Sequence, residues 1–239
     1  MLDKKPDLRA GEVFLLDKPL GWTSFNVVSS IRHRMRRVTG LKRNKVGHAG
    51  TLDPLATGLL IICTGKATKQ IEKYQAQVKE YTGTFKLGAT TPCFDKEQEE
   101  DKTYPTDHIT PEMIKEMAVS FTGVQEQTPP IFSAIKIKGK RAYDYARNDE
   151  EVVIKSKTIE IISFEITAIN MPEVDFKVVC SKGTYIRSLA RDFGKSLNSG
   201  AYLTALRRTK IGDFSVEDAL TPDEFKSKLR QFFPDELKE

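Results

Sequence analysis

The feature that most constrains this chain is the run of residues 47–60, GHAGTLDPLATGLL. It holds three glycines, one proline and a single carboxylate, Asp53, directly ahead of the apolar residues 59–63. Glycine and proline at this density interrupt regular structure and let the backbone approach a ligand closely. An aspartate before proline is, on its own, a common turn residue. The run therefore predicts a tight loop carrying one acid, followed by a buried segment that is either a strand or the start of a short helix.

Length and composition place the chain among globular proteins. Its 239 residues are enough for one large domain or two small ones. A hydrophobic content of 39% and a charged content of 30% are ordinary for that class. The longest apolar run is too short to span a bilayer, and the N-terminus lacks the apolar core of a signal peptide. We therefore expect a cytoplasmic protein without membrane association.

Cysteines and histidines are spread along the chain. They are Cys63, Cys93, Cys180, His33, His48 and His108. A structural zinc site needs about four ligands at short paired spacings, and no Cys-x-x-Cys pair is present. We expect neither a metal site nor a disulfide.

The net charge of +5 is modest, but the basic residues are concentrated. Residues 32–45 contain seven lysines and arginines and no acid. A second group, in residues 136–147, holds Lys136, Lys138, Lys140, Arg141 and Arg147, with Tyr143 and Tyr145 between them. Two such groups in a nearly balanced chain predict a face that binds a polyanion. The alternative for either group is an ordinary solvated surface.

Residues 47–60 resemble the catalytic motif of the TruB family of tRNA pseudouridine synthases. Five further segments resemble motifs of the same family: residues 16–21, 64–69, 79–81, 180–187 and 205–209. Residues 127–147 resemble its tRNA-gripping insertion. The resemblance covers about residues 11–215. It implies a catalytic domain over 1–215, with the insertion at about 125–150, and a short helical tail over 216–239 in place of the C-terminal RNA-binding domain of the PUA type found in most bacterial relatives.

The resemblance also implies site residues. Asp53 is the essential carboxylate, Arg187 its cationic partner, and Tyr81 packs on the target base. Lys18, Lys69, Tyr185 and Leu206 are implied to support or line the uridine pocket, and Lys136, Arg141 and Tyr143 to hold the tRNA. His48, in the same loop as Asp53, is a candidate to fill the space that a flipped base vacates; the alternative is a structural loop histidine.

Two of these residues are also notable without the resemblance. Arg187 falls in the first turn of a helix that Thr184 is expected to cap, where a cation opposes the helix dipole. The helix alone gives no reason for it, so a carboxylate partner elsewhere is expected. Tyr81 shares one face of a period-two segment with Phe85 and Leu87, which predicts an inward-facing strand residue. In the polar segment 90–107 the chain departs from the TruB pattern, since many relatives carry an acidic Thr-Asp-Thr run there, and the resemblance makes Asp95 the candidate for that acidic role.

Element patterns predict only the fold class. Strands are expected at residues 13–16, 79–87, 158–169 and 175–180. Helices are expected after Thr23 or Ser24, from Thr110 to Gly123, after Thr184, and around residues 225–233. This mixture indicates an α+β or mixed α/β protein. The family resemblance adds a central mixed, largely antiparallel sheet flanked by helices.

The function that the resemblance implies is isomerisation of uridine to pseudouridine at position 55, in the T arm of tRNA, by a monomer without a cofactor. Whether Asp53 attacks C1′ or removes a ribose proton to give a glycal stays open. One alternative is a guide-RNA-dependent synthase, which the missing C-terminal domain disfavours. Another is a non-catalytic RNA-binding or RNA-folding protein, which has no use for Asp53, Tyr81 and Arg187 together.

Overall fold

The computed structural model describes residues 4–41, 44–133, 135–137, 140–142, 145 and 152–234, with the backbone alone at 136, 137, 140 and 141. The chain divides into two units. The first comprises residues 1–81 and 207–239, and the second comprises residues 82–206. Each is described by itself.

Strands and helices alternate along the described residues. The strands are β1 Val13–Lys18, β2 Val46–His48, β3 Ala56–Thr64, β4 Lys79–Leu87, β5 Ala89–Thr90, β6 Lys102–Thr103, β7 Gly123–Gln127, β8 Lys136–Ile137, β9 Lys140–Arg141, β10 Lys157–Asn170, β11 Glu173–Cys180, β12 Ala201–Ile211 and β13 Phe214–Ser215. The α-helices are α1 Ser24–Thr39, α2 Ile71–Gln75, α3 Pro111–Ser120, α4 Ile186–Ser196 and α5 Pro222–Phe232, and the 3-10 turns are Gly65–Gln70 and Val216–Asp218. The predicted class is confirmed. Among the described residues, no helix is both long and apolar enough to cross a bilayer.

In the first unit, β3 is the central strand. It pairs antiparallel with β1 and with β2, placing Lys18 opposite Gly58 and His48 opposite Ile62. Leu60 and Ile62 pack with α1 and α5, whereas Leu59, Ile61 and Cys63 pack in a second cluster around Tyr74 and Ile211. Because both faces of β3 are covered, its sequence is continuously apolar. This answers the question of strand or helix that the five apolar residues left open.

Helices α1 and α5 close one face of the first unit. Thr23 begins α1 with a capping box to Asn26, and Gly40 ends it in the left-handed conformation. Phe225 of α5 packs edge-on against Phe14 of β1, with ring centroids 4.9 Å apart. Residues of the expected tail 216–239 thus complete this core, and the division at residue 215 stays a prediction.

In the second unit, the strand order is β12, β4, β11, β10, β7. β10 pairs antiparallel with β11 on one side and β7 on the other, with Phe164 opposite Val178 and Lys157 opposite Gln127. A cluster of phenylalanines fills the core; its members are Phe85, Phe121, Phe164, Phe176 and Phe193. The expected inward face of β4 is confirmed, since Tyr81, Phe85 and Leu87 are all buried.

Two expected helix boundaries were wrong. Thr184 does not cap α4, because its hydroxyl donates to the Ser181 carbonyl at 3.0 Å within the preceding turn, and Tyr185 occupies the N-cap position. Gly123 does not end α3. The helix ends at Ser120, and Gly123 begins β7 with a φ of +114°. The segment 90–107, expected to be a loop or an edge excursion, contains the paired strands β5 and β6.

Gly58 generates a stability prediction. Its φ is +103°, and a Cβ there would lie 2.3 Å from the Arg208 carbonyl oxygen. Gly58→Ala therefore combines left-handed strain with a backbone overlap, and we expect it to lower the free energy of unfolding by more than about 3 kcal/mol. Gly40→Ala is the control, since Gly40 has a φ of +68° and open space around it. Strain alone should then cost about 1–2 kcal/mol. Urea denaturation measures both; equal losses would contradict the packing argument.

Candidate active site

The loop that carries Asp53 connects β2 to β3 and is fixed from both sides in the first unit. The buried Ser24 hydroxyl donates to the Leu52 carbonyl at 3.0 Å and accepts from the Leu52 amide at 2.8 Å. The Ala56 amide donates to the Asp53 carbonyl at 3.0 Å, which closes a turn around Pro54. Asp53 itself is half-buried. Its carboxylate is thus presented by a backbone that is anchored immediately before and after it.

Lys18 is hydrogen-bonded to the same loop. Its side chain has no exposed area, and its ammonium group donates to the carbonyls of Trp22 at 2.5 Å, Pro19 at 3.0 Å and Pro54 at 3.5 Å. The Gly21 amide also donates to the Pro54 carbonyl, at 2.9 Å. A buried ammonium group needs such acceptors to offset its lost hydration. Lys18 therefore joins the turn after β1 to the residue next to Asp53, and its role in supporting the uridine pocket stays a prediction.

Arg208 is a residue whose role sequence reasoning missed. It is only 1% exposed, and its guanidinium donates to the Leu59 carbonyl at 2.8 Å and to the Gly50 carbonyl at 3.1 Å. One side chain thereby joins the start of the Asp53 loop to the strand that follows it. A signal was available, because adjacent residues on a strand point to opposite faces. One of the neighbours Arg207 and Arg208 therefore had to face inward, and it is Arg208. Arg207 faces the other side of the strand and forms an ion pair with Asp17, at 3.0 and 2.7 Å.

His48 lies at the end of β2, half-buried beside Arg208. Burial, and secondly the positive charge of Arg208, lower the pKa of His48 below its ordinary value of 6.5, although a hydrogen bond with the Gly50 backbone opposes the shift. The imidazole is therefore neutral at pH 7. A neutral ring can stack against a base without bringing a charge. Its proposed occupation of the space left by a flipped base stays a prediction.

The other predicted residues of the first unit lie on different elements. Lys69 is exposed in the 3-10 turn Gly65–Gln70, and Tyr81 is 8% exposed on β4. Their expected contacts with RNA stay predictions.

In the second unit, Arg187 is held inside the protein at the start of α4. It is 7% exposed, and its guanidinium donates to the Cys93 carbonyl at 3.2 Å and the Phe132 carbonyl at 2.9 Å. Its Nε lies 3.5 Å from the Asp95 Oδ2. The expectation of a carboxylate partner elsewhere in the chain is thus met by Asp95 within this unit. The pairing of Arg187 with Asp53 joins residues of different units and stays a prediction.

Asp95 is held as firmly as Arg187. It is 1% exposed, and its Oδ1 accepts from the Glu97 amide and from the Cys93 thiol, both at 2.9 Å. Burial, and then the hydrogen bond to Asp95, raise the pKa of Cys93, so Cys93 stays a thiol donor. A buried ion pair is costly to form but even more costly to break, because removing one partner leaves an uncompensated charge. Asp95 therefore supplies a buried counter-charge to Arg187, whose guanidinium is oriented by its hydrogen bonds to the Cys93 and Phe132 carbonyls.

Gln127 positions the N-terminus of α4, and no signal in the sequence marked it. Its side-chain amide forms a closed pair with the backbone of Tyr185, accepting from the Tyr185 amide at 2.8 Å and donating to the Tyr185 carbonyl at 3.0 Å. Lys157 lies over the Tyr185 ring, 4.3 Å from its centroid, and burial lowers the pKa of Lys157. The Tyr185 backbone and ring are therefore both fixed in place two residues before Arg187.

The remaining predicted residues are placed only in part. Leu206 is half-buried on β12. Lys136 and Arg141 face each other in the register of the β8–β9 hairpin, with their side chains outside the description. Tyr143 lies outside the described residues. The structure thus gathers Lys18, His48 and Asp53 around one loop, and Arg187, Asp95 and Tyr185 around the start of α4.

The lowered pKa of His48 generates a prediction for acid stability. Below pH 6.5 the unfolded chain binds a proton at His48 that the folded protein resists, so stability falls as the pH falls through this range. His48→Gln removes the titrating imidazole and with it this contribution to the pH dependence of stability. We expect the variant to lose less free energy of unfolding than the wild type between pH 7.5 and 5.5, by up to about 1 kcal/mol. Urea denaturation at both pH values measures the difference; parallel losses would contradict the assigned shift.

Comparisons with known proteins identify the family of this chain. The family described as "TruB family pseudouridylate synthase (N terminal domain)" matches residues 36–186, and the "tRNA pseudouridylate synthase B C-terminal domain" matches residues 187–236. A protein of Phocaeicola vulgatus named tRNA pseudouridine synthase B is 57% identical over 225 residues, which cover 94% of this chain and 96% of that protein. Its namesake in Flavobacterium johnsoniae is 57% identical over 221 residues, covering 92% and 96%.

A solved H/ACA ribonucleoprotein, bound to a substrate RNA containing 2′-deoxyuridine, contains a chain of similar fold. It is 26% identical, with a TM-score of 0.68. The match covers 97% of this chain but 57% of the other, so this chain spans little more than half of that structural relative. From the matching family profiles and the extensive identity with its curated relatives, we conclude that the chain belongs to the TruB family of pseudouridine-forming enzymes.

Proposed function

We propose that this protein converts a uridine in the T arm of tRNA, at position 55, to pseudouridine, with Asp53 as the essential carboxylate and no cofactor. The observation that carries the proposal is the anchored loop around Asp53, which Ser24 and Lys18 hold on either side. The name tRNA pseudouridine synthase B, borne by relatives 57% identical over almost the whole chain, supports the substrate class. The T-arm position rests on the motif resemblance.

The chemistry needs no external group. The N1–C1′ bond of the uridine breaks, the uracil rotates, and C5 bonds to C1′. C5 then loses a proton while N1 gains one, so the product is an isomer of the substrate. An ionised carboxylate can serve either as a nucleophile at C1′ or as a base toward the ribose. The uridine must first leave its stack to reach a half-buried group.

In this proposal the other residues orient the reacting base. Arg187 presents a guanidinium whose direction is set by two backbone carbonyls, with Asp95 as a buried counter-charge. Such a preset cation keeps a nearby carboxylate ionised and does not reorganise during the reaction. Tyr81 offers an aromatic face to the uracil, and Leu206 an apolar wall. The protein acts as a cytoplasmic monomer, and a short basic insertion holds the RNA.

The alternative of a guide-RNA-dependent synthase has weaker support. The H/ACA chain is 26% identical and extends well beyond the match, whereas the tRNA synthase relatives are 57% identical over nearly their own full length. The alternative of a non-catalytic RNA-binding protein leaves the buried ion pair beside α4 without a purpose. Without guide RNA, both alternatives predict that no pseudouridine forms, whereas the proposed function predicts that it does.

The decisive experiment uses an unmodified tRNA transcript that carries tritium at uridine C5. Because C5 exchanges its hydrogen for a bond to C1′, we expect the purified protein alone to release one tritium per tRNA, from position 55. Asp53→Asn keeps the size of the side chain and removes its charge, so we expect release to fall by more than about a thousandfold, with tRNA affinity within about twofold of wild type.

The matched control is Asp213→Asn, which removes an exposed carboxylate from the turn after β12. It should release tritium at the wild-type rate. No release by stoichiometric wild-type protein would overturn the enzymatic proposal. Loss of tRNA binding and folding together in Asp53→Asn would assign Asp53 a structural role instead.

The basic insertion generates a separate prediction. If Lys136 and Arg141 neutralise tRNA phosphates, Lys136→Ala with Arg141→Ala should weaken tRNA binding and lower the slope of log affinity against log salt by about 1 to 2. Lys102→Ala with Lys155→Ala removes two exposed lysines elsewhere in the second unit and serves as the control. Equal affinities and salt slopes in the two pairs would contradict the gripping role.

A further inference from the structure

A cleft of about 900 Å³ opens in the first unit between α1 and α5. No residue implied to contact substrate by the resemblance lies in it. Its lining residues are Gly21, Trp22, Asn26, Ser29, Ser30, His33, Arg34, Arg37, Lys226 and Arg230. Among the described residues, the lining therefore contains four lysines and arginines and no aspartate or glutamate. A concave surface lined by one sign of charge concentrates the field and attracts counter-ions of the opposite sign.

The charges act on one another across the cleft. Arg34 of α1 is half-buried, and its guanidinium donates to the Ser30 carbonyl at 3.2 Å and to the Ser30 hydroxyl. Burial lowers the pKa of Arg34, Asp223 raises it, and the positive charge of Arg230 on the opposite helix lowers it again. The attraction of Asp223 outweighs the repulsion from Arg230, so burial accounts for the net lowering. Cations of both helices nevertheless face one cleft, where an anion would be attracted.

The cationic and polar residues of α1 form one stripe along the cleft. Asn26, Ser29 or Ser30, His33 or Arg34, and Arg37 recur at the three- and four-residue spacing of one helix face. From Asn26 to Arg37 the stripe is about 17 Å long, at 1.5 Å per residue. One strand of B-form DNA advances about 3.4 Å per nucleotide, and a strand of A-form RNA advances less, so the stripe is long enough for at least about five phosphates.

At one end of the cleft, the turn after β1 is hydrogen-bonded to the loop that presents Asp53. Gly21 and Trp22 line the cleft, and the Gly21 amide donates to the Pro54 carbonyl at 2.9 Å. The Trp22 carbonyl accepts from Lys18, which contacts the same carbonyl of Pro54. The Trp22 side chain is 37% exposed. An indole at the mouth of a basic cleft can stack on a base or a ribose while the cations beyond it meet phosphates.

We propose that the cleft between α1 and α5 is a second RNA-binding surface, which holds the phosphate backbone of the tRNA strand that flanks the target uridine. The inference rests on the proposed function for the choice of tRNA. It is independent of the basic insertion in the second unit. Four properties support it: cations without acids among the described lining residues, a length of several nucleotides, an exposed indole, and a hydrogen bond from the lining residue Gly21 to the Asp53 loop.

RNA fits these properties better than an anionic membrane does. A membrane surface is flat, and its binding favours cations on a convex or planar face with apolar residues that insert between lipids. Here Arg34 and Arg230 lie in a concavity, accompanied by hydroxyl and amide groups from Ser29, Ser30 and Asn26. Such groups commonly bind phosphate and ribose oxygens.

Trp22 provides a direct readout, because it is the only tryptophan in the chain. Titrating the wild-type protein with unmodified tRNA transcript should change the Trp22 emission. The cleft variant is Arg37→Ala with Lys226→Ala. The matched control is Arg36→Ala with Lys228→Ala, which removes the neighbouring cations of the same two helices outside the cleft lining. Both pairs keep one arginine in the last turn of α1, where a cation suits the helix dipole.

We expect the cleft variant to need at least about fivefold more tRNA for half of the emission change, and its salt slope to fall by about 1 to 2. The control should stay within about twofold of wild type. Circular dichroism and thermal unfolding show whether both pairs are folded to the same degree. Equal midpoints and slopes in the two pairs would overturn the proposal. Normal tRNA binding with lost binding to phosphatidylserine vesicles would overturn it in favour of a membrane surface.

Tritium release under saturating tRNA separates this proposal from the proposed function. If the proposed function is right and the cleft binds RNA, the cleft variant releases tritium at the wild-type rate under saturating tRNA. At low tRNA concentration it releases tritium more slowly than the wild type. If wild-type protein releases no tritium, the proposed function fails. The Trp22 titration still decides whether the cleft binds RNA, since it follows binding and not the reaction.

Discussion

The buried guanidinium of Arg208 is the interaction on which the loop around Asp53 depends. It donates to the carbonyl of Gly50 at the start of that loop and to the carbonyl of Leu59 just after it. Its own backbone presses against Gly58, where any side chain would overlap it. A charge buried to this degree is stable only while those acceptors stay in place. The strand and the loop are therefore mutually dependent. Burial, and secondly the same charge, lower the pKa of His48.

Several neighbouring contacts share this principle. Lys18 is buried, and its ammonium group donates to backbone carbonyls of the turn after β1 and of Pro54. Arg187 is held by two carbonyls and Asp95. In each case a cation joins segments that are far apart in sequence. Because cation-to-carbonyl hydrogen bonds are directional, they define loop geometry more closely than apolar packing alone.

The further inference changes how α1 is understood. Its arginines near the C-terminal end are explained equally well by the helix dipole and by binding of a polyanion, and the sequence offers no way to choose between them. The structure shows that Arg34 and Arg37 line a cleft together with Lys226 and Arg230 of α5. Arg36 is not one of the residues that line it. Two adjacent residues, Arg36 and Arg37, thus have different surroundings and provide an internal comparison.

The sequence by itself determined the local structure and the chemistry of single segments. The alternation of residues 79–87 predicted an inward-facing Tyr81, and the glycines and proline around Asp53 predicted a loop before a buried segment, because both follow from backbone geometry over a few residues. Helix boundaries at Thr184 and Gly123 were missed, since competing turn and strand hydrogen bonds decided them. Only the tertiary structure decided that Arg187 pairs with Asp95, that Arg208 braces the Asp53 loop, and that α1 and α5 form a cleft. These depend on contacts between residues distant in sequence, which no local pattern encodes.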